Sequence, residues 1–169
     1  CVTDSYTILN GELDKGTHSA DRSIYLYIFA DNRYGTFSTN RLEKNELEDF
    51  IQRAIEVVRM LGEDECRKLP SPERTAKDAV TGLELQLYDA AYEQMDADTR
   101  LAKAFRLSRY DEIKATEDSY RLISEECEYA CTSDDSYTAD SQGFEGRHRE
   151  TTFGTFSEMT IEDRDGNKY

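Results

Sequence analysis

Residues 23–30 alternate between two apolar faces, and this segment constrains the fold more than any other part of the chain. One face carries Ile24, Leu26 and Ile28, and the other carries Tyr25, Tyr27 and Phe29. Successive strand side chains point to opposite faces, so a strand that is apolar on both is typical of a central, doubly covered position. The following Asp-Asn-Arg predicts a tight turn with Asn32 left-handed, and residues 34–39 predict the returning strand. We therefore expect an antiparallel sheet with residues 23–30 near its centre.

A helix is predicted over residues 44–61, because apolar side chains recur there at three- and four-residue spacing. They form one stripe: Leu47, Phe50, Ile51, Ala54, Ile55, Val58 and Leu61. Gly62 is expected to end the helix as its C-cap. Core packing is the simpler explanation of the stripe, and a subunit contact is the alternative.

The remaining segments are predicted to be mostly strand. An early strand is expected over 5–13 with a turn at 14–16, and residues 63–83 are expected to form a loop with a short extended piece at 85–88. A second helix is expected from the N-cap Asp96 to about Arg109. The last third predicts strands over 119–132, 137–140 and 147–162, with turns at 133–136 and 141–146. The fold class is therefore α+β, a two-layer sandwich of a mostly antiparallel sheet with two main helices, in a single domain over residues 1–169.

Both ends of the chain suggest part of a longer protein. The first residue is Cys1, and residues 163–168 form a hairpin-turn sequence after which only Tyr169 stands for the returning strand. We therefore expect an N-terminal domain fragment whose chemistry lies outside residues 1–169.

The charge of −15 argues against direct binding of nucleic acid, since phosphates require cationic side chains. An acidic mimic of nucleic acid is the alternative to a simply solvated acidic surface. No segment contains enough consecutive apolar residues to span a membrane.

Cys127 and Cys131 would lie roughly 13 Å apart along a strand, too far to form a disulfide. The cysteines are therefore expected to be free thiols packed as small hydrophobic residues, which favours the cytoplasm.

Catalytic motifs are absent from this sequence. It contains no His-Glu-x-x-His zinc helix, no Gly-x-Ser-x-Gly elbow and no phosphate-binding Gly-x-x-x-x-Gly-Lys-Ser/Thr loop. Its two histidines, His18 and His148, have polar, turn-like or strand-like surroundings. The Asp-rich run at 163–167 lacks the later glycine and glutamate of a calcium loop and is better explained as a turn. We therefore predict no catalytic residue, no cofactor-binding residue and no metal ligand in this chain.

The order of several segments resembles the N-terminal domain of the TldD/PmbA metalloprotease family, also called modulators of DNA gyrase. The resemblance begins with Leu-Asn-Gly-Glu-Leu at 9–13, continues through residues 25–40 and includes the amphipathic helix. Glu-Asp-Glu-Cys at 63–66 and Leu-Gln-Leu-Tyr-Asp at 85–89 follow in the expected order. Residues 139–153 resemble the family's Asn-Ser-x-Gly-Phe stretch and the strand after it. The similarity thus covers nearly the whole chain.

This resemblance implies a function that the residues alone do not show. Such proteins pair as homodimers or as heterodimers of two family subunits, and the active subunit binds zinc through a His-Glu-x-x-x-His helix and a cysteine to cleave small or unfolded peptides. The zinc would belong to the missing C-terminal part or to a partner subunit, and the sequence leans toward the PmbA branch. We expect a scaffold and dimerisation domain of such a zinc metalloprotease subunit. The alternative is a non-catalytic protein-binding module, such as a gyrase-modulating interaction domain.

Overall fold

A computed structural model describes residues 1–115 and 120–169. Its strands are β1 (Val2–Leu9), β2 (Glu12–Ala20), β3 (Ile24–Ala30), β4 (Arg33–Thr39), β5 (Tyr120–Ala139) and β6 (Glu145–Asp163). Its helices are α1 (Lys44–Met60), α2 (Ala91–Gln94), α3 (Ala97–Phe105) and α4 (Tyr110–Lys114), with a 3₁₀ turn at Pro72–Arg74. The sheets are antiparallel throughout, and the predicted α+β class is confirmed.

The chain forms two compact units. The first consists of Cys1–Ala20, Asp78–Ala139 and Glu145–Tyr169, and the second of Asp21–Lys77 with Asp140–Phe144. The extent of the predicted domain, residues 1–169, stays a prediction. No helix in the described part of the chain is long and apolar enough to cross a membrane.

The first unit contains a four-stranded sheet in the order β2-β1-β5-β6, with α3 and α4 packed against β5. One cluster of buried side chains lies between them: Ile8, Tyr92, Ala104, Cys127, Tyr129 and Cys131. Apolar burial of this kind is the main force that holds the helices on the sheet.

The first hairpin turns earlier than the sequence analysis predicted. Asn10 and Gly11 both have positive φ, of 52° and 81°, and join β1 directly to β2. The predicted turn at 14–16 is wrong, because those residues lie within β2. Asn-Gly is the dipeptide that best fits a two-residue hairpin turn, since both of its residues tolerate the left-handed conformation.

The hairpin of β5 and β6 is long, with strands of 20 and 19 residues. The predicted turn at 133–136 is wrong, because β5 continues through it and pairs with β6 from end to end. The reversal lies at 140–144, where Oδ1 of Asp140 accepts hydrogen bonds from the N–H groups of Gln142 and Phe144. A partner strand along the whole length thus overrides local turn preference. The predicted strand start at residue 119 lies outside the described residues.

In the second unit, α1 packs on the hairpin of β3 and β4. Asp31 and Asn32 have φ of 51° and 55°, which confirms the predicted tight turn. The predicted central position of β3 is wrong: its strand partner among the described residues is β4, and Tyr25 and Tyr27 are 67% and 64% exposed. Aromatic side chains are compatible with an exposed strand face as well as with a core, so alternation alone does not decide between them.

The apolar stripe of α1 is buried chiefly at Ala54 and Val58, and its ends at Ile51 and Leu61 are exposed. The helix ends at Met60, and Leu61 rather than Gly62 is the C-cap residue. Asp96 caps α3 as predicted, since its side chain accepts a hydrogen bond from Thr99 N–H. That helix ends at Phe105, however, and the predicted extension to Arg109 is wrong.

Candidate functional site

The two histidines lie on the opposite edge strands of the sheet and do not meet. His18 on β2 pairs with Asp4 at 2.7 Å, and His148 on β6 pairs with Glu150 at 3.2 Å. Within residues 1–115 and 120–169, no three His, Cys, Asp or Glu side chains are placed to hold a metal ion. The described residues therefore do not fit the zinc that the resemblance implies, and no step of zinc chemistry is assigned to them.

Asp4 is the centre of a buried polar network. Its carboxylate is 5% exposed, accepts a hydrogen bond from the Tyr92 hydroxyl at 3.5 Å and lies 3.5 Å from Arg100. The Arg100 guanidinium also stacks over the Tyr92 ring, at 4.9 Å from its centroid. A buried carboxylate requires such partners, because desolvation without them is costly. These contacts fix α2 and α3 against β1.

Glu125 is the second buried carboxylate, at 2% exposure. It accepts hydrogen bonds from the Ser108 hydroxyl and from the N–H of Arg109, between α3 and α4. Its own N–H donates to the side-chain oxygen of Asn10. Its sequence neighbour Glu126 is exposed, because successive strand side chains point to opposite faces. No feature of the sequence predicts that Glu125 accepts hydrogen bonds from the segment between α3 and α4.

The buried thiols are packing groups. Cys127 and Cys131 are fully buried, and burial raises the pKa of both thiols above the ordinary value. A protonated thiol is a poor nucleophile. The prediction of free thiols is confirmed for Cys66, Cys127 and Cys131, whereas packing as a small hydrophobic residue is confirmed only for Cys127 and Cys131, because Cys66 is exposed.

The outer edge of β6 is covered at its beginning by residues 79–89, which we call the strap. The N–H groups of Arg147, Arg149 and Thr151 donate to carbonyl oxygens of the strap at Ala79, Gly82 and Leu87. The Arg149 guanidinium stacks 3.9 Å from the centroid of the Tyr88 ring and pairs with Asp135. The strap thus occupies every second position of this edge up to Thr151.

The same edge is occupied again at its end. Ile161 and Tyr169 exchange two backbone hydrogen bonds, of 3.0 and 2.9 Å, and Asp163 N–H donates to the Asn167 carbonyl. Gly166 has a φ of 84°, and the Asp163 side chain accepts from the N–H groups of Asp165 and Asn167. The predicted hairpin turn at 163–168 is therefore confirmed.

Between these two covered parts lies a stretch of β6 that we call the open edge, residues 153–159. Because alternate residues point toward β5, the outward backbone groups here belong to the set Phe153, Thr155, Ser157 and Met159. In the described part of the chain, no backbone group pairs with them from outside the sheet. Phe153, Phe156 and Met159 are also 41%, 49% and 48% exposed. Unpaired strand edges with apolar side chains bind other strands readily, so the open edge is the candidate binding site.

The fold is thus that of an α+β domain built on a long antiparallel hairpin. Residues 2–58 match the family described as PmbA/TldA metallopeptidase domain 1. The whole chain is 30% identical, with a TM-score of 0.85, to a candidate modulator of DNA gyrase from Bacteroides thetaiotaomicron, and the match covers 99% of this chain and 36% of that one. The chain belongs to the TldD/PmbA family, within which it corresponds to the N-terminal domain.

Two more distant structures share the fold. A candidate modulator of DNA gyrase from Thermotoga maritima is 16% identical with a TM-score of 0.61, and the match covers 99% of this chain and 35% of that one. TldE from Thermococcus kodakarensis is 13% identical with a TM-score of 0.59, and the match covers 96% and 34%. The chain therefore spans about a third of the length of the structures it matches. None of the curated proteins matches it.

Proposed function

We propose that this chain is the N-terminal scaffold and dimerisation domain of a TldD/PmbA-type zinc metalloprotease subunit, which acts in the cytoplasm on small or unfolded peptides. The observation that carries the proposal is the match of 99% of this chain to 36% of a longer chain, together with the metallopeptidase description of the family. Zinc would be held by residues outside this chain, in the same subunit or in a partner subunit of a homodimer or heterodimer.

In this proposal the domain shapes the access to the peptidase site and supplies no catalytic residue. Its buried carboxylates are both engaged in the packing of helices on the sheet. A rigid wall beside a peptidase site excludes folded proteins and admits extended peptides, and binding of substrate outside the reacting bond is a recognised way to gain specificity.

The test uses the parent protein, alone and mixed with any family partner encoded beside it. We expect cleavage of short unstructured peptides, loss of cleavage with a metal chelator, and its return with added Zn²⁺. Size-exclusion chromatography with light scattering should give a dimer. A parent that neither cleaves peptides nor assembles with a cleaving partner would refute the proposal.

A second candidate function is a protein-binding module that acts on a topoisomerase. It is favoured by the description of two similar structures as candidate gyrase modulators and by the charge of −15, which suits a basic protein rather than DNA. A pull-down of purified gyrase subunits with the 169-residue chain tests it. Binding that persists without the rest of the parent would favour this module over the scaffold.

A further inference from the structure

We propose that the open edge of β6 is covered by the polypeptide that follows Tyr169 in the parent protein, which returns along β6 as a fifth strand of the sheet. The inference goes beyond peptidase activity, although it rests on the proposal that this chain is the first domain of a longer protein. It is carried by the direction of the chain at Tyr169, the bounds of the open edge and the side chains along it.

The direction of the chain at Tyr169 fits this occupant. The turn at 163–167 has already reversed the backbone, and Tyr169 pairs with Ile161 in antiparallel register. A strand that continues in this register brings the second, fourth, sixth and eighth residues after Tyr169 opposite four outward positions, namely Met159, Ser157, Thr155 and Phe153. Those are the positions that lack a partner from outside the sheet among the described residues.

The bounds of the open edge argue against a second copy of this chain. If two copies of β6 paired in antiparallel contact, the pairing would extend beyond the open edge to Thr151 and Ile161, because β6 is one continuous strand of 19 residues. Thr151 already bonds to Leu87 of the strap, and Ile161 already bonds to Tyr169. The open edge between these two occupied positions, residues 153–159, spans roughly 20 Å at the usual rise of a strand, which is enough for one short segment.

The side chains of the open edge indicate that it is normally covered. A free strand edge is usually protected by charged residues. The outer edge of β2 has no strand partner in the described part of the chain, and β2 carries such residues at Glu12, Asp14 and Lys15. The open edge carries one charged residue, Glu158, among side chains that include Phe153, Phe156 and Met159. The open edge therefore has fewer charged residues to prevent pairing than β2 has, with one in seven residues against three in nine.

The test compares backbone amide exchange in the parent protein and in the 169-residue chain, measured for Phe153, Thr155, Ser157 and Met159. We expect exchange at these amides to be slower in the parent by on the order of tenfold or more. Amide exchange does not depend on zinc or on peptide cleavage, so its failure and the failure of the proposed function are separate results.

A proline at the open edge makes the test specific. Thr155→Pro removes an N–H that points away from β5, so the existing sheet keeps its hydrogen bonds. We expect this change to lower the melting temperature of the parent and to speed exchange at Phe153 and Ser157, while the 169-residue chain keeps its melting temperature. Gly16→Pro on the free edge of β2 is the matched control and should affect both proteins equally.

Four results would overturn the proposal. Fast exchange at the open edge in both proteins would show that no strand covers it. Protection that rises with protein concentration would indicate a second copy, and protection that requires an added peptide would indicate a separate ligand. A reading frame that stops at Tyr169 would also exclude the proposed occupant.

Discussion

Glu125 shows how one side chain can hold two elements in place. Replacement by alanine would leave the Ser108 hydroxyl and the Arg109 N–H without their buried acceptor. An unsatisfied buried polar group costs about 1–3 kcal/mol, so we expect Glu125→Ala to destabilise the protein by that amount. Urea unfolding measures it. Glu126→Ala is the control, because Glu126 is exposed and should change stability by less than about 0.5 kcal/mol. Equal effects of the two changes would contradict this role for Glu125.

Gly35 is a position where even a methyl group does not fit. A Cβ atom there would lie 2.8 Å from side-chain atoms of both Phe37 and Val58, between β4 and α1. Overpacking of this kind costs about 1–3 kcal/mol, so Gly35→Ala should destabilise the second unit. Gly62→Ala offers the comparison, since a Cβ at Gly62 meets nothing within 4 Å among the described residues. Thermal unfolding of the two variants measures the difference, and the prediction fails if Gly35→Ala melts at the wild-type temperature.

At the scale of elements, the strap depends on Gly82. This glycine has a φ of 77°, and a Cβ there would lie 3.0 Å from the backbone nitrogen of Arg149. Gly82→Ala should therefore detach the strap from β6 and speed amide exchange at Arg149 and Thr151. Gly143→Ala separates the steric clash from the strain of a positive φ. Gly143 also has a positive φ, of 91°, but a Cβ there would meet nothing within 4 Å in residues 1–115 and 120–169. Limited proteolysis within 79–89 should increase only for Gly82→Ala, and intact resistance would show that the strap tolerates the change.

Elements with a strong local signal could be predicted from the sequence. The helix α1 follows from its apolar period, the turn at Asn32 from its side chain, and the start of α3 from Asp96. Where two signals compete, the sequence gives no ranking: Asn10-Gly11 and the run at 14–16 both suit a turn, and the pairing of β1 with β2 decides.

Long-range pairing explains the other differences. The turn-like residues 133–136 are extended because β6 pairs with all of them. The strap has no regular secondary structure, and its place on β6 depends on hydrogen bonds between residues far apart in the chain. Local propensity carries no information about such contacts. The hairpin turn at 163–168 could be predicted, whereas the open edge could not, because its bounds are set by the hydrogen bonds of the strap and of Tyr169 to β6.

At the scale of the whole molecule, whose net charge is −15, acid changes the stability of the folded state in two opposite ways. Protonation of surface carboxylates relieves mutual repulsion, which stabilises the folded state. Carboxylates that accept hydrogen bonds only in the folded state have lowered pKa values there, and their protonation destabilises it. The pKa of Asp96 and that of Asp163 are lowered in this way, chiefly by hydrogen bonds from the side chains of Thr99 and Asn167.

Glu84 offers the clearest measurement of the second effect. The N–H groups of Thr81 and Val80 and the Thr81 hydroxyl all donate to one oxygen of its carboxylate, at 2.8, 3.1 and 3.0 Å. Hydrogen bonds from the backbone, that of Thr81 first, lower the pKa of Glu84 from 4.5 to about 2. Because the folded pKa lies below the unfolded one, this contribution to stability is complete above about pH 4.5 and is lost as the pH falls toward 2.

The change Glu84→Gln should therefore lower the melting temperature at pH 7 and have a smaller effect at pH 2, where the wild-type carboxyl is itself becoming neutral. Melting curves of both proteins from pH 7 to pH 2 measure this convergence. The difference between the two proteins cancels the repulsion that they share, so it isolates the single carboxylate from the rest of the acidic surface. Glu126→Gln is the control and should follow the wild-type curve. A constant gap between wild type and Glu84→Gln at every pH would mean that the charge of Glu84 does not stabilise the strap.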